Sequence, residues 1–352
     1  MAEIDTLFNY MLENDASDLH LSTGSKPMIR KHGELEEMDA PELTNEGLRK
    51  MLFEIASEEQ KEIFLAKKDL DFAYEIPGVS RFRANYLEQK RGTGAVFRVI
   101  PTKILTAEEL GLPEQILRFT QLSRGLVLVT GPTGSGKSTT LAAIIDYINR
   151  NRKEHILTVE DPVEFVHQNQ QCLVNHREIG THTQSFAAAL RAALREDPDV
   201  ILVGEMRDLE TIELAITAAE TGHLVFGTLH TNSAAKTIDR IIDAFPAGQQ
   251  AQIRTMLSES LKGVICQQLL KRIDEPGRLA ALEILYCKTA IANLIREGKT
   301  FQIPSMIQTG KNEGMQLMDQ AIMDFLMKKQ VSPDEAYLKA NDKNVFERFL
   351  KK

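Results

Sequence analysis

The sequence has few cysteines, no tryptophan, no excess of basic residues and no long apolar run. Its three cysteines, Cys172, Cys266 and Cys287, are far apart and form no C-x-x-C pair, which excludes a local zinc knuckle and argues against a disulfide framework. We expect all three to be buried, reduced thiols. No stretch approaches the ~20 consecutive apolar residues of a membrane-spanning helix. The acidic start, Met-Ala-Glu-Ile-Asp, lacks the features of a signal peptide, so we expect a cytoplasmic chain.

The charge balance argues against one class of proteins. The chain carries a formal net charge of -8, and its pI is about 5.6. Nucleic-acid-binding proteins usually have a basic excess, because their affinity comes from neutralising phosphates. The balance therefore disfavours nucleic acid as the partner, although it is compatible with a local basic patch. With 352 residues, 43% of them hydrophobic, the chain is typical of a globular protein of two domains.

Residues 1–100 have the pattern of a small mixed α+β domain. Period-two alternation and turn residues predict strands over residues 18–21, 28–30, 71–76, 81–86 and 94–100. A short apolar helix is predicted near residues 7–12. Thr44 and Ser57 are typical N-caps, and they predict two further helices that begin directly after them.

Residues 101–115, which contain two prolines and a glycine, are the predicted linker, and residues 116–352 form the second predicted domain. Near-continuous apolar runs predict buried parallel strands over residues 125–130, 155–159, 199–203 and 224–228. Helices over residues 185–195 and 209–221 separate them, which is the α/β pattern of a parallel sheet with crossover helices. The tail from Gly248 is predicted to be mostly helical. Its apolar stripe, expected to face a core, consists of Met315, Met318, Ile322, Phe325 and Leu326.

Residues 131–138, Gly-Pro-Thr-Gly-Ser-Gly-Lys-Ser, match the pattern G-x-x-x-x-G-K-[S/T] in full, between a predicted strand and a predicted helix. Gly134 and Gly136 allow the backbone to turn its N–H groups towards anionic oxygens, and the helix adds its positive end. Lys137 should reach the β- and γ-phosphates, and the Ser138 hydroxyl should bind Mg²⁺. The predicted ATP-binding residues are Gly131, Pro132, Thr133, Gly134, Ser135, Gly136, Lys137, Ser138 and Thr139.

Two further predicted strands end in carboxylates. The strand over residues 199–203 is followed by Gly204 and Glu205, with glycine where a magnesium-binding aspartate is usual. Ligands bind at this end of a parallel strand, so Glu205 is either the general base that polarises water or a solvated acid.

The strand over residues 155–159 is followed by three carboxylates within five residues. We predict that Glu160 and Glu164 position magnesium and water in place of the missing aspartate. Asp161 precedes a proline, so it is either a third member of this group or a residue that forms the turn.

Two histidines flank the predicted strand over residues 224–228. His230 follows the strand, at the phosphate-facing end, where it can donate a hydrogen bond to the γ-phosphate or to Glu205 as a sensor. His223 precedes the strand, and it is either a second functional residue or a structural one.

Phosphoryl transfer also needs positive charge, and the first domain offers Arg81, Arg83 and Arg98 on adjacent predicted strands. Arg81 and Arg83 share one face of their strand because side chains alternate. From the residues alone, these arginines are either contacts to phosphate or solvated strand residues.

Four motifs in this order resemble the Walker A, Asp box, Walker B and His box of the secretion ATPase superfamily. They are residues 131–139, 160–167, 194–208 and 222–230. Within that superfamily the chain is most similar to the type IV pilus retraction ATPases. The similarity also includes residues 16–21 and 291–299, so it extends over nearly the whole chain.

The resemblance implies a PAS-like first domain, a RecA-like second domain and a ring of six identical subunits. ATP would bind between the two domains of a subunit and against a neighbour. Arg83 and Arg98 match arginines that contact phosphate in the family, Glu205 matches the catalytic glutamate, and Glu164 matches the Asp-box acid. Hydrolysis would turn a platform protein and withdraw pilin subunits at the cytoplasmic face of the inner membrane, which the chain would contact only through the platform.

Three alternatives are weighed against retraction. A pilus assembly or type II secretion ATPase shares the four motifs, but it usually has a longer N-terminal region and a tetracysteine zinc insert. A DNA-translocating RecA-like motor is disfavoured by the acidic charge balance, and a regulatory module would bind nucleotide without turnover. One departure from the family concerns its signature Ala-Ile-Arg-Asn-Leu-Ile-Arg-Glu, in which Ala292 replaces the first arginine here. We expect this change to leave hydrolysis unaffected, but it puts a transmission role of that helix in question.

Overall fold

The computed structural model describes residues 2–31, 33–100 and 103–350. The chain divides into two compact units, Met1–Lys103 and Ile104–Lys352, and each unit has its own sheet and its own buried apolar residues. Pro101 and Thr102 of the predicted linker lie outside the described residues. Of the rest of the predicted linker, Lys103 belongs to the first unit and residues 104–115 belong to the second, so the linker itself stays a prediction.

The first unit is a mixed α+β structure, as the sequence predicts. Its elements are α1 (Asp5–Glu13), β1 (Asp18–Ser22), β2 (Met28–Lys31), β3 (Glu34–Glu37), α2 (Asn45–Ile55), α3 (Glu58–Lys67), β4 (Asp69–Ile76), β5 (Ser80–Gln89) and β6 (Gly92–Ile100). The strands form an antiparallel sheet in the order β3-β2-β1-β6-β5-β4. The sequence analysis did not predict strand β3. This strand is exposed along its whole length, so its sequence lacks the alternation of apolar and polar residues that identifies a strand with one buried face.

Side-chain caps fix the N-termini of α2 and α3 at the positions that the sequence predicts. The Thr44 hydroxyl accepts a hydrogen bond from the Gly47 amide at 3.1 Å, and the Ser57 hydroxyl accepts one from the Gln60 amide at 3.2 Å. The Gln60 side chain in turn accepts from the Ser57 amide at 2.9 Å. This reciprocal pair is a capping box, which satisfies amide groups that the first turn of a helix leaves without partners.

The second unit is an α/β structure. Its elements are α4 (Glu114–Leu117), β7 (Gly125–Thr130), α5 (Lys137–Asn151), β8 (His155–Glu160), β9 (Leu173–Glu178), α6 (Phe186–Ala193), β10 (Val200–Val203), α7 (Leu209–Thr221), β11 (Leu224–Leu229), α8 (Ala234–Asp243), α9 (Ala247–Ser260), β12 (Leu261–Lys271), β13 (Arg278–Tyr286), α10 (Thr289–Arg296), α11 (Ile303–Thr309), α12 (Met318–Met327), α13 (Pro333–Lys339) and α14 (Asn344–Glu347). The sheet has the order β13-β12-β7-β11-β10-β8-β9. Its neighbouring strands are parallel except for the β12–β13 pair, which is antiparallel.

The prediction of a mostly helical tail is wrong over β12 and β13. Strand β12 pairs with β7 on one side and with β13 on the other, and it is buried over most of its length. A short apolar run cannot be assigned to a buried strand or a buried helix by its periodicity. This segment is a strand because it pairs with β7, which is distant in the sequence. The sequence analysis also did not predict β9, which pairs with β8 and is the outermost strand on the side of the sheet opposite β13.

Other expectations for the second unit are confirmed in the main. Four residues of the predicted apolar stripe are buried, and Phe325 packs against the same core. The cysteines are free thiols; Cys172 and Cys266 are buried, whereas Cys287 is only partly buried, contrary to expectation. Among the described residues, no helix combines the length and the apolar character that crossing a membrane requires.

Candidate active site

The candidate site lies where parallel strands of the second unit end. The sheet order places β7, β11, β10 and β8 side by side. Their carboxyl ends are followed by the phosphate loop, His230, Glu205 and the acids of residues 160–164, respectively. Residues distant in the sequence thus meet at one edge of the sheet, where open α/β sheets bind ligands.

The phosphate loop connects β7 to α5 in a conformation that requires glycine at Gly131. Its φ is 145°, and a Cβ atom at this position would lie 2.2 Å from the carbonyl oxygen of Gln267 on β12. The loop can approach β12 this closely only without a side chain. Helix α5 begins at Lys137, so the loop presents the positive end of a helix.

The Lys137 ammonium group donates to the carbonyl oxygens of Gly131 and Pro132 at 2.9 and 3.2 Å. Burial lowers the pKa of Lys137, and the negative charges of Glu205 and Glu164 oppose this effect. Lys137 is therefore close enough to both predicted acids to interact with them electrostatically, as a shared phosphate site requires.

Gln267, on β12, forms hydrogen bonds to the phosphate loop and to the helix that follows it. The sequence analysis did not predict this residue as part of the site. Its amide group donates to the Ser135 carbonyl oxygen at 2.7 Å, and its side-chain oxygen accepts from the Thr140 hydroxyl at 2.7 Å. Gln267 is almost fully buried. A polar side chain within an apolar segment was a signal in the sequence, but the partners of Gln267 could not be inferred while that segment was predicted to be helical.

Both carboxylate oxygens of Glu205 have partners. The His230 Nε2 atom lies 2.9 Å from one oxygen, which agrees with the predicted contact, and Arg207 donates to the other at 2.6 Å. Burial by itself would raise the pKa of Glu205, but the hydrogen bond and the charge of Arg207, with His230, lower it. Glu205 is thus an oriented, ionised carboxylate, the state in which it can accept a proton from water.

Arg207 was not among the predicted site residues. It lies two positions after Glu205, and its pKa is raised chiefly by the hydrogen bond to Glu205. A charged residue at this spacing was visible in the sequence, but the loop after β10 has no regular periodicity from which its direction could be predicted.

Gly204, which stands where a Walker B strand usually has an aspartate, lies against the backbone of β8. Its amide donates to the Val159 carbonyl oxygen at 2.8 Å, and a Cβ atom here would lie 3.2 Å from the Glu160 Cα atom. The Thr228 hydroxyl donates to the Gly204 carbonyl oxygen. A larger side chain would push the end of β10 away from Glu160, which occupies the neighbouring position at the same edge.

The geometry fits a magnesium ion held mainly by water and phosphate. Ser138 and Glu160 line one small cavity, together with Gly204 and His167, and the Glu164 amide donates to a Glu160 oxygen at 3.4 Å. Across residues 2–31, 33–100 and 103–350, no cluster of three or more acidic, histidine or cysteine side chains could hold a metal by itself. Mg²⁺ usually keeps several waters and takes only one or two protein ligands beside phosphates, so a hydroxyl and a carboxylate suffice.

Buried polar residues hold the turn after β8. The Glu178 carboxylate accepts from the Val163 amide at 3.0 Å, and the His167 amide donates to the His176 ring at 3.0 Å. Burial, with a smaller effect of His176, lowers the pKa of His167 to about 4, so its ring is neutral at neutral pH. Asp161 lies in this turn and also acts on Arg207 through its charge, which fits both interpretations of that residue.

His223 is not brought to the phosphate loop. It precedes β11 at the opposite edge of the sheet, and its Nδ1 atom lies 2.9 Å from the Ala218 carbonyl oxygen. This contact gives a partner to a carbonyl group in the last turn of α7. The position therefore favours the structural interpretation of His223.

The three arginines of the first unit lie on β5 and β6. Arg83 and Arg98 are directly opposite each other in the pairing of these strands. Each forms an ion pair, Arg83 with Asp71 at 2.5 Å and Arg98 with Asp18 at 2.8 Å. These acids offset the repulsion between two like charges on facing positions. Arg81 lies on the same face of β5 as Arg83, as predicted.

Comparisons with known proteins agree with this site. The family model described as type II/IV secretion system protein matches residues 2–337. The chain is 55% identical over 338 residues to the type IV pilus retraction ATPase PilT of Pseudomonas aeruginosa, covering 96% of this chain and 98% of that protein. It is 54% identical over 316 residues to a twitching motility protein of Neisseria gonorrhoeae, covering 90% and 84%.

A solved structure is similar over the same extent. The crystal structure of the pilus retraction motor PilT with bound ADP matches with a TM-score of 0.91 and 45% identity, covering 99% of each chain. The fold is therefore that of a RecA-like P-loop ATPase core with a smaller N-terminal α+β domain. The chain belongs to the type II/IV secretion system protein family, as an ATPase similar over nearly its whole length to pilus retraction ATPases.

Proposed function

We propose that this chain is the motor ATPase that retracts type IV pili. The observation that carries the proposal is the complete phosphate loop beside Glu205, which is oriented by Arg207 and His230. Similarity to retraction ATPases over nearly the whole length supports the choice of pilus retraction as the process.

In this proposal each residue at the sheet edge has a defined role. The loop amides and Lys137 bind the β- and γ-phosphates of ATP, and Glu205 takes a proton from the attacking water. His230 holds the carboxylate and senses the γ-phosphate. Ser138, with Glu160 or Glu164 acting through water, would hold Mg²⁺, which when bound neutralises charge on the phosphate oxygens.

The motor acts as a ring of six identical subunits in the cytoplasm. It turns a platform protein of the inner membrane, reaches the membrane only through that protein, and has no nucleic-acid partner. The net charge of -8 supports the last point, because proteins that bind nucleic acid usually have a basic excess.

Arg83→Ala and Arg98→Ala are expected to lower the turnover number more than the affinity for ATP. In the proposed role each guanidinium stabilises charge that develops in the transition state, and loss of one such donor typically costs about 10²–10³-fold in turnover. Steady-state ATPase assays and nucleotide titrations measure the two quantities.

Asp71→Asn is the matched control, because it breaks the ion pair with Arg83 but keeps the arginine. It should change turnover much less than Arg83→Ala does. Equal losses in Asp71→Asn and Arg83→Ala would show that the ion pair, and not the arginine, matters. Equal losses of binding and turnover in the arginine variants would contradict a role in the transition state.

A strain that lacks this protein is expected to keep surface pili but lose their retraction. Pili can be counted by electron microscopy, and retraction can be followed by twitching motility. Loss of the pili themselves would indicate the assembly ATPase instead.

Two further measurements test the proposal. A copy of the gene that carries Glu205→Gln should fail to restore motility to this strain. The ATPase rate of the purified protein should not change when duplex DNA is added, whereas the rate of a DNA motor would change.

A further inference from the structure

A cavity of about 450 Å³ is lined by Glu205 and by residues that lie outside the phosphate loop. Its wall includes Glu205, Arg207, His230 and Arg240, and none of residues 131–139 lines it. The cavity is therefore next to the proposed general base but separate from the loop that binds the phosphates of ATP.

The charges of this wall are mainly positive. It contains two guanidinium groups, from Arg207 and Arg240, against one carboxylate, Glu205. That carboxylate is already paired with Arg207 at 2.6 Å. Arg240 has no ion-pair partner within the described ranges 2–31, 33–100 and 103–350. An arginine without a carboxylate partner that lines the same cavity as a second arginine is an arrangement that attracts an oxyanion.

We propose that this cavity binds inorganic phosphate, the product of ATP hydrolysis, between Arg207 and Arg240. The identity of the anion rests on the proposed function, because hydrolysis at Glu205 releases phosphate directly beside the cavity. Phosphate offers several acceptor oxygens, and the planar guanidinium group can donate two parallel hydrogen bonds to such an anion. The side chain of Arg207 is 67% exposed, so it can turn from the carboxylate towards the cavity.

Phosphate in the cavity competes with Glu205 for Arg207. While Arg207 is bound to the anion, Glu205 keeps only His230 as a partner and loses one of its two orienting contacts. Product phosphate should therefore slow turnover without displacing ATP from the loop. In steady-state kinetics this is non-competitive inhibition, which a higher ATP concentration does not relieve.

The direct test is equilibrium dialysis of radiolabelled orthophosphate against the full-length protein. In the Lys137→Ala background, which weakens the phosphate loop, saturable phosphate binding should persist. Adding Arg240→Gln to that background should weaken binding by about tenfold or more, since hydrogen bonds to charged groups contribute about 1.5–3 kcal/mol. The matched control is Arg272→Gln, which removes an arginine paired with Asp274 and Glu275 in the β12–β13 turn.

The outcomes separate the alternatives. Binding that disappears with Lys137→Ala but survives Arg240→Gln would place phosphate on the loop only and overturn the proposal. A change in oligomeric state with Arg240→Gln, with phosphate binding unchanged, would also overturn it and would assign the cavity to an acidic side chain of a second copy. Circular dichroism checks folding, and Arg240→Lys, which keeps the charge but not the planar geometry, is expected to bind with intermediate affinity. Because the assay needs no turnover, its result is independent of whether the chain is a retraction motor.

Discussion

Glu205→Gln is expected to reduce the rate of ATP hydrolysis by about 10²–10⁴-fold, the range for loss of a general base. Glutamine has the same shape, and its side-chain oxygen can still accept a hydrogen bond from Arg207 or His230. It cannot take a proton from water, so nucleotide affinity should be nearly unchanged. Single-turnover hydrolysis and titration with a fluorescent nucleotide measure the two effects separately.

The control for this variant is Glu210→Gln, which removes a carboxylate from another Arg–Glu pair of the same unit, formed with Arg191 on the surface. Its rate should stay close to that of the unmodified protein. An undiminished rate in Glu205→Gln would instead describe a nucleotide-binding module in which another group activates the water.

The pH dependence provides an independent readout of the same group. Arg207 and His230 hold the pKa of Glu205 below its ordinary value despite burial. As the pH falls, Glu205 therefore stays ionised past the point at which an ordinary glutamate begins to take up protons. The acid limb of the rate profile should lie below the usual glutamate range, and Arg207→Gln should move it to higher pH.

Gly131→Ala is the second substitution with a large expected effect. A side chain at φ 145° costs about 1–3 kcal/mol in backbone strain. In addition, its Cβ atom would lie 2.2 Å from the Gln267 carbonyl oxygen and 2.7 Å from the Ser135 hydroxyl. The loop must move away from β12, so we expect loss of measurable ATP binding and a lower melting temperature.

Gly248→Ala is the matched control for this change. Gly248 lies in the first turn of α9, where an added Cβ atom meets nothing within 4 Å. Alanine there should leave nucleotide binding unchanged and stabilise the protein by up to about 1 kcal/mol. If Gly131→Ala bound ATP as tightly as Gly248→Ala, the close contact between the loop and β12 would not be needed for binding.

The parts of the site that could be predicted depend on short-range patterns. The phosphate loop consists of consecutive residues between a strand and a helix, so its position follows from local sequence. Glu160, Glu205 and His230 each follow an apolar run, and parallel strands bring such ends to one edge of a sheet. The roles of these residues, and of Arg83 and Arg98, stay predictions until the variants above are measured.

Contacts between distant segments could not be predicted in the same way. The apolar sequence of β12 suits a strand or a helix, and only its pairing with β7 places Gln267 beneath the phosphate loop. By contrast, the placement of His223 and His230 at opposite ends of β11 follows from the direction of that strand, which the sequence predicts.

The sequence by itself determined that this chain has a phosphate loop, a parallel α/β sheet around it and carboxylates at the ends of the neighbouring strands. Spacing and polarity within single segments, together with the order of those segments along the chain, are enough for these features. Only the tertiary structure decided that Arg207 and His230 hold Glu205 from two sides and that Gln267 supports the loop. Such hydrogen bonds join residues as many as 132 positions apart, and their partners depend on strand order and side-chain direction, which no local pattern encodes.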